Sequence, residues 1–154
     1  MEIAVLAVGR LRPCYREACD DYLKRLTRYA RVAEHEVREA ARAPSVAVQR
    51  ATEAAALATR RPADSTLVCL TRDGAPWTSA ELARRLGRWM IEARPLAFAI
   101  GGSNGLAPEL LERAAASWSL GPLTLPHELA RVVVLEQLYR GFTILRGEPY
   151  HKGR

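Results

Sequence analysis

Leu96–Gly105 reads LAFAIGGSNG, and Leu120–Phe142 reads LGPLTLPHELARVVVLEQLYRGF. The first is an apolar run of five halted by Gly101 and Gly102, the pattern of a buried strand entering a tight turn. The second is a loop punctuated by Pro122 and Pro126 that opens a helix. Pro126 takes the place of a first-turn proline and Glu128 the favourable acidic place, and the helix runs to about Leu145. Short apolar runs recur at Ile3–Val8, ended by Gly9, and at Ser65–Leu70, while Val32–Val37 alternates and reads as a further strand. Helical spacing occupies the intervals. One helix runs from about Cys14 to Tyr29 after Pro13, and one from Val46 to Thr59 with Ser45 as cap. Another covers Thr78–Met90 with Thr78 and Glu81 as a capping box, and another runs from Pro108 to about Ser117. Arg72–Trp77 (RDGAPW) reads as a turn, and Trp118–Leu125 as strand and loop. Strands alternating with helices predict an α/β fold, a mostly parallel sheet flanked by helices. No repeat or low-complexity linker divides the 154 residues, so one domain over 1–154 is expected.

Composition narrows the function classes. Hydrophobic residues make up 49% and charged residues 26%, as in a globular chain. The net charge is +6, and arginine outnumbers lysine 21 to 2. A guanidinium fork suits phosphate, so a polyanionic partner and a general arginine bias both remain open. Cys14, Cys19 and Cys69 form no CxxC and share no metal-type spacing with histidine, so neither disulfides nor a metal site is expected. MEIAVLAVGR reads as a strand rather than a leader, and no stretch reaches the roughly 18 apolar residues of a membrane span. A cytoplasmic protein with no membrane association is expected.

In parallel sheets ligands bind beyond the carboxyl ends of the strands, which nominates Leu70, Ile100 and Leu123. GGSNG does not match GxGxxG, so a dinucleotide site has little support; it is plain turn chemistry or a ligand loop. The apolar loop Leu123–Pro126 is either an ordinary connection or a wall for a flat heterocycle, with unpaired main-chain groups facing its edge. His127, in the first helical turn, reads as a neutral structural imidazole before a catalytic one. Glu136 shares a helical stripe with Leu129, Val132, Val133, Arg140 and Thr143. It is either paired locally with Arg140 or functional. The helix is apolar nearly all round, which suits burial by a sheet and a partner subunit together. Tyr150 and His151 beside Arg146, Lys152 and Arg154 give the mixture that stacks bases and holds phosphate, or else a frayed end.

Five collinear stretches carry a resemblance over nearly the whole chain: AVGRLRP, VCLTRDGAPWTS, FAIGGSNGL, WSLGPLTLPHELARVVVLEQLYRGFTI and PYHKGR. In these the sequence resembles the RlmH-type ribosomal RNA methyltransferases of the SPOUT class. The resemblance implies a trefoil knot in which the last helix threads a loop, against the usual rarity of knots. It implies S-adenosylmethionine as cofactor, held by Leu70, Gly101, Gly102, Pro122, Leu123, Thr124, Leu125, Pro126 and His127. It implies a homodimer that methylates ring nitrogen 3 of a pseudouridine in large-subunit (23S) ribosomal RNA on the assembled ribosome. Glu136, Arg140, Tyr150 and His151 fall on the family's catalytic positions, with His151 or Glu136 influencing proton removal and Arg140 and Tyr150 holding the nucleotide. Arg131 is expected to meet phosphate or the partner chain. The sequence departs from the family in the Ala- and Arg-rich segment Ala41–Arg61, and at Gly121, where a small polar residue is common. Methylation of another RNA such as tRNA, and non-catalytic RNA binding, are the competing readings.

Overall fold

The computed structural model describes residues 1–151. Lys152 and Arg154 lie outside the described residues, as does the side chain of His151. The elements are β1 (Glu2–Val8), α1 (Pro13–Leu26), β2 (Arg31–Val37), α2 (Val46–Arg60) and β3 (Thr66–Ala75). They continue as α3 (Ser79–Glu92), β4 (Leu96–Ile100), α4 (Pro108–Glu112), β5 (Ala116–Trp118) and α5 (His127–Leu145), followed by a 3-10 turn at Pro149–His151. Among the described residues the strands form one five-stranded sheet in the order β2-β1-β4-β3-β5, with every neighbouring pair parallel.

The apolar runs are continuous because both sheet faces are covered. On one face Ile3, Val5, Val68 and Phe98 pack with residues of α1, α3 and α5, including Cys19, Leu86 and Leu135. On the other, Ala4, Leu6, Leu67 and Ala99 pack with Leu57 of α2 and Leu110 of α4. Phe98 sits edge-on to both Trp89 and Trp118, at 6.3 and 6.2 Å between centroids, and Trp118 stacks on Trp77 at 5.6 Å. The helix starts follow the sequence. The Ser45 side chain accepts from Val48 N, and Thr78 with Glu81 forms a reciprocal capping box.

Three boundaries differ from expectation. The first helix stops at Leu26 instead of Tyr29, because the Thr27 hydroxyl donates to Lys24 O at 2.7 Å and the chain tightens into a turn. Tyr29 then leaves the helix and stacks on Phe142, 5.5 Å away. The second difference is at Arg72–Ala75, expected as a turn, which continues β3 through a register shift that pairs both Leu70 and Ala75 with Trp118. Gly74 is there for close approach: a Cβ would meet the Trp118 backbone at 2.7 Å. The third is the helix from Pro108, which ends at Glu112 rather than near Ser117. Pairing of Ala116–Trp118 with β3 overrides the helix preference of the alanines.

Phe98→Ala is expected to lower unfolding free energy by about 3–5 kcal/mol, seen as a drop in the urea midpoint at unchanged slope.

Candidate active site

A wholly parallel sheet ends all its strands on one edge. Ile100 and Trp118 end β4 and β5 there, and β3 between them passes through Leu70, paired with Trp118, before its extension to Ala75. The third wall begins at Trp118; Leu123 lies further along the loop that follows.

Gly101–Gly105 folds into a tight turn bridged between Gly102 and Gly105. A Cβ on Gly101 would meet Gly105 C at 2.6 Å, and one on Gly102 would meet Val8 Cγ1 at 2.9 Å. The polar side chains of the turn are engaged with its neighbours. Ser103 donates to Glu39 at 2.6 Å, Asn104 donates to Gln49 at 2.9 Å, and Arg50 donates to Asn104 O at 2.6 Å. The turn is thus fixed against α2 and the β2–α2 loop.

The β5–α5 loop behaves differently. Ser119 is buried, its N–H donates to Ala75 O at 3.0 Å, and its hydroxyl both donates to Gly121 O and accepts from Gly121 N. Gly121 has φ +116, a conformation that a residue with a side chain adopts only under strain, which accounts for glycine at this position. From Pro122 to Leu125 the main chain makes no hydrogen bond among the described residues, and Leu123 is 76% exposed. An apolar wall with open main-chain donors and acceptors is the surface a heterocycle edge requires.

The start of α5 is locked to the β1–α1 loop. Glu128 accepts from Arg12 N at 2.7 Å and from Arg12 Nε at 3.0 Å. The Arg12 backbone N–H, with the guanidinium adding to it, lowers the Glu128 carboxyl pKa. His127 lies so close to Gly9 that a Cβ there would meet its ring at 2.8 Å, and its Nδ1 is buried without a partner among the described residues. Arg131 corrects the sequence reading. It is fully buried, so it is not placed to meet phosphate or a partner chain. It donates to Gly9 O at 2.9 Å and Glu34 at 2.7 Å, with Glu36 at 3.1 Å, and Arg16 binds the same two carboxylates.

A second cluster gathers further along α5. Glu136 Oε1 accepts from Arg140 Nε at 2.9 Å and from the Tyr150 hydroxyl at 3.1 Å, and Oε2 accepts from Gln137 at 2.6 Å. Tyr150 stands edge-on to Tyr139 at 4.7 Å, with the Arg140 guanidinium 5.0 Å from its ring centre. Burial first, then the bond with Tyr22, raises the Tyr150 hydroxyl above the usual phenol pKa, which keeps it a donor. The sequence-nominated residues therefore form two groups. At a rise of about 1.5 Å per residue, the helix puts about 13 Å between His127 and Glu136, and about 20 Å between His127 and Arg140.

Among the described residues no group of three or more His, Cys, Asp or Glu could hold a metal ion, and no helix is long and apolar enough to cross a membrane. Cys19 and Cys69 are pushed up to about 11, chiefly by burial, and stay thiols. Clefts of about 670 and 370 Å³ open at the opposite edge, against Met1, Glu2, Arg31 and Pro95, where strands begin.

A family model described as "Predicted SPOUT methyltransferase" matches residues 1–151. The chain belongs to the SPOUT methyltransferase family. A relative from Rubrobacter xylanophilus, named "Ribosomal RNA large subunit methyltransferase H", is 52% identical, with 96% of each chain covered. One of the same name from Gloeobacter violaceus is 47% identical over 99% of this chain and 100% of its own. The fold is also similar to a crystal structure of a "Probable Methyltransferase" from Bordetella pertussis Tohama I, at TM-score 0.55 and 21% identity, covering 91% of this chain and 95% of that one. The Arg12–Glu128 latch, Ser119 and Tyr22 in this SPOUT chain were not nominated from sequence. Glu34 and Glu36, two apart on β2, and Arg131 on the apolar stripe of α5 were the available signal of a buried ion group.

Arg131→Met is expected to cost about 3–5 kcal/mol in urea unfolding, because Glu34 loses a buried partner; adding Glu34→Gln recovers part of the loss. The latch holds when Glu128 is ionised. With its folded pKa lowered from 4.5, the latch contributes stability above the unfolded value and loses it as pH falls through the folded one. The melting temperatures of the native chain and Glu128→Gln are expected to differ near neutrality and to converge in acid.

Proposed function

We propose that this chain transfers the methyl group of S-adenosylmethionine to ring nitrogen 3 of a pseudouridine in large-subunit (23S) ribosomal RNA, on assembled ribosomes, as a cytoplasmic homodimer. The observation that carries this is the open main chain of Pro122–Leu125 at the same sheet edge as the glycine turn, in a chain whose relatives share a ribosomal RNA methyltransferase name. The residues fit the donor. Leu70, Gly101 and Gly102 would hold it on one side and Pro122–His127 on the other, and a Cβ on Gly102 would meet Val8 Cγ1 at 2.9 Å, which favours a bare turn there. The threading of α5 through the preceding loop belongs to the same proposal.

When bound, the donor supplies a methyl made electrophilic by its sulfonium. The protein holds the acceptor nitrogen in line and manages the imide proton. Tyr150, kept protonated, donates to its partner, and Arg140 carries the charge that holds the nucleotide. Glu136 already accepts from Arg140, Tyr150 and Gln137, so its role is to orient both recognition groups. His151 remains the residue proposed to assist proton removal.

One chain keeps its donor loop and its Arg140–Tyr150 group at different levels of α5. A second copy, with α5 running the other way, brings its own Arg140 and Tyr150 to the first copy's donor loop. The partly exposed face of Leu129, Val132 and Val133 supports that contact.

Incubation with labelled S-adenosylmethionine and ribosomes lacking the modification is expected to place label on a pseudouridine of large-subunit RNA, located by mass spectrometry of nuclease fragments. Label confined to tRNA overturns the substrate. Leu123→Asp and Arg140→Ala are each expected to lose activity by about 10-fold or more. Co-expressed mixtures are expected to recover about a quarter of native activity, since half the dimers are mixed and each carries one intact site. No recovery in the mixture contradicts the shared site.

A further inference from the structure

AVGRLRP (Ala7–Pro13) has so far supplied only the fixing of α5. It forms the β1–α1 loop, which is held at several points. Gly9 N donates to Val37 O at 2.9 Å, Gly9 O accepts from Arg131, and Arg12 N donates to Glu128. Between these anchors Arg10 stands exposed. The neighbouring β2–α2 loop begins at Arg38, directly after Val37, and carries Arg42; both are also exposed.

None of Arg10, Arg38 and Arg42 makes an ion pair or a side-chain hydrogen bond among the described residues. The surrounding arginines are committed elsewhere: Arg12, Arg16 and Arg131 to carboxylates, and Arg50 to Asn104 O. Glu39, the acidic residue of these two loops, is taken by Ser103. On the α1/α5 face Arg25 pairs with Asp21, and Arg146 lies over Tyr29.

We propose that Arg10, Arg38 and Arg42 dock the phosphate backbone of the RNA substrate at the carboxyl edge of the sheet. This rests on the reading of the chain as an RNA methyltransferase and adds where the RNA lies. The loops carrying these arginines touch both donor loops: Gly9 lies against His127, and Glu39 accepts from Ser103. Neighbouring strands run about 4.8 Å apart, so Arg10 and Arg38 can share one phosphate. An arginine projecting from a fixed loop, with no carboxylate to give up, binds phosphate at little ordering cost. Contacts of this kind fix the register of the RNA and leave base choice to the reacting site.

The test compares the triple variant R10A/R38A/R42A with R84A/R88A/R94A, which removes the same charge from exposed positions on and just after α3. Binding is read by co-sedimentation with assembled ribosomes over a salt series, which needs no turnover. The rim triple is expected to bind about 10–100-fold more weakly, with the slope of log K against log salt reduced by about 2, since each lost phosphate contact removes about 0.7–0.9. The α3 triple is expected to stay near native, and lysine at all three rim positions to restore most of the binding. Calorimetric affinity for S-adenosylmethionine is expected to be unchanged. Equal weakening by both triples overturns the proposal, as does a matching loss of donor affinity or a native chain that fails to sediment with the ribosomes. A native chain that binds ribosomes through the rim but methylates no ribosomal RNA overturns the function while leaving the docking surface intact.

Discussion

Arg131 is a charged side chain with no access to water, and the candidate site depends on how that charge is balanced. Burying an unpaired guanidinium is prohibitive, so the fold must bring carboxylates and a carbonyl to it. Glu34 and Glu36 come from β2, and the carbonyl comes from Gly9 at the end of β1. One side chain of α5 thereby fixes the helix against two strand ends and one loop. His127 and Glu128, one turn earlier, then meet Gly9 and Arg12. The β5–α5 loop ends where α5 starts, so its position follows from this ion group.

The parallel sheet sets the rest. Because all five strands end on one edge, the glycine turn after β4, the β5–α5 loop and the two arginine-bearing loops after β1 and β2 are neighbours there. Helix length then divides the chemistry. The Glu136–Arg140–Tyr150 group lies about 13–20 Å along α5 from His127, and under the proposed reading that distance is the physical case for a second subunit.

Much of this was legible in the sequence. Apolar runs stopped by glycine marked β1 and β4, and the capping residues Ser45 and Thr78 marked helix starts to the residue. The bulged extension of β3 was hidden because Gly74 and Pro76 look like turn residues. Gly74 is small so that β5 can approach, a reason that appears only when the strands are side by side. The alanines after α4 read as helix because propensity is local, while pairing with β3 is not. The open apolar loop before α5 was visible from its prolines and leucines. Arg131 was misjudged because one sequence cannot show which stripe of an apolar helix faces inward.

The most direct measurement is amide hydrogen exchange with and without S-adenosylmethionine. The account predicts slowed exchange at Gly101–Gly105 and at Leu123–Leu125, with a smaller effect at Gly9–Arg12 through the latch. Protection instead around Met1, Glu2 and Arg28–Val32, at the edge where the clefts of about 670 and 370 Å³ open, would contradict it.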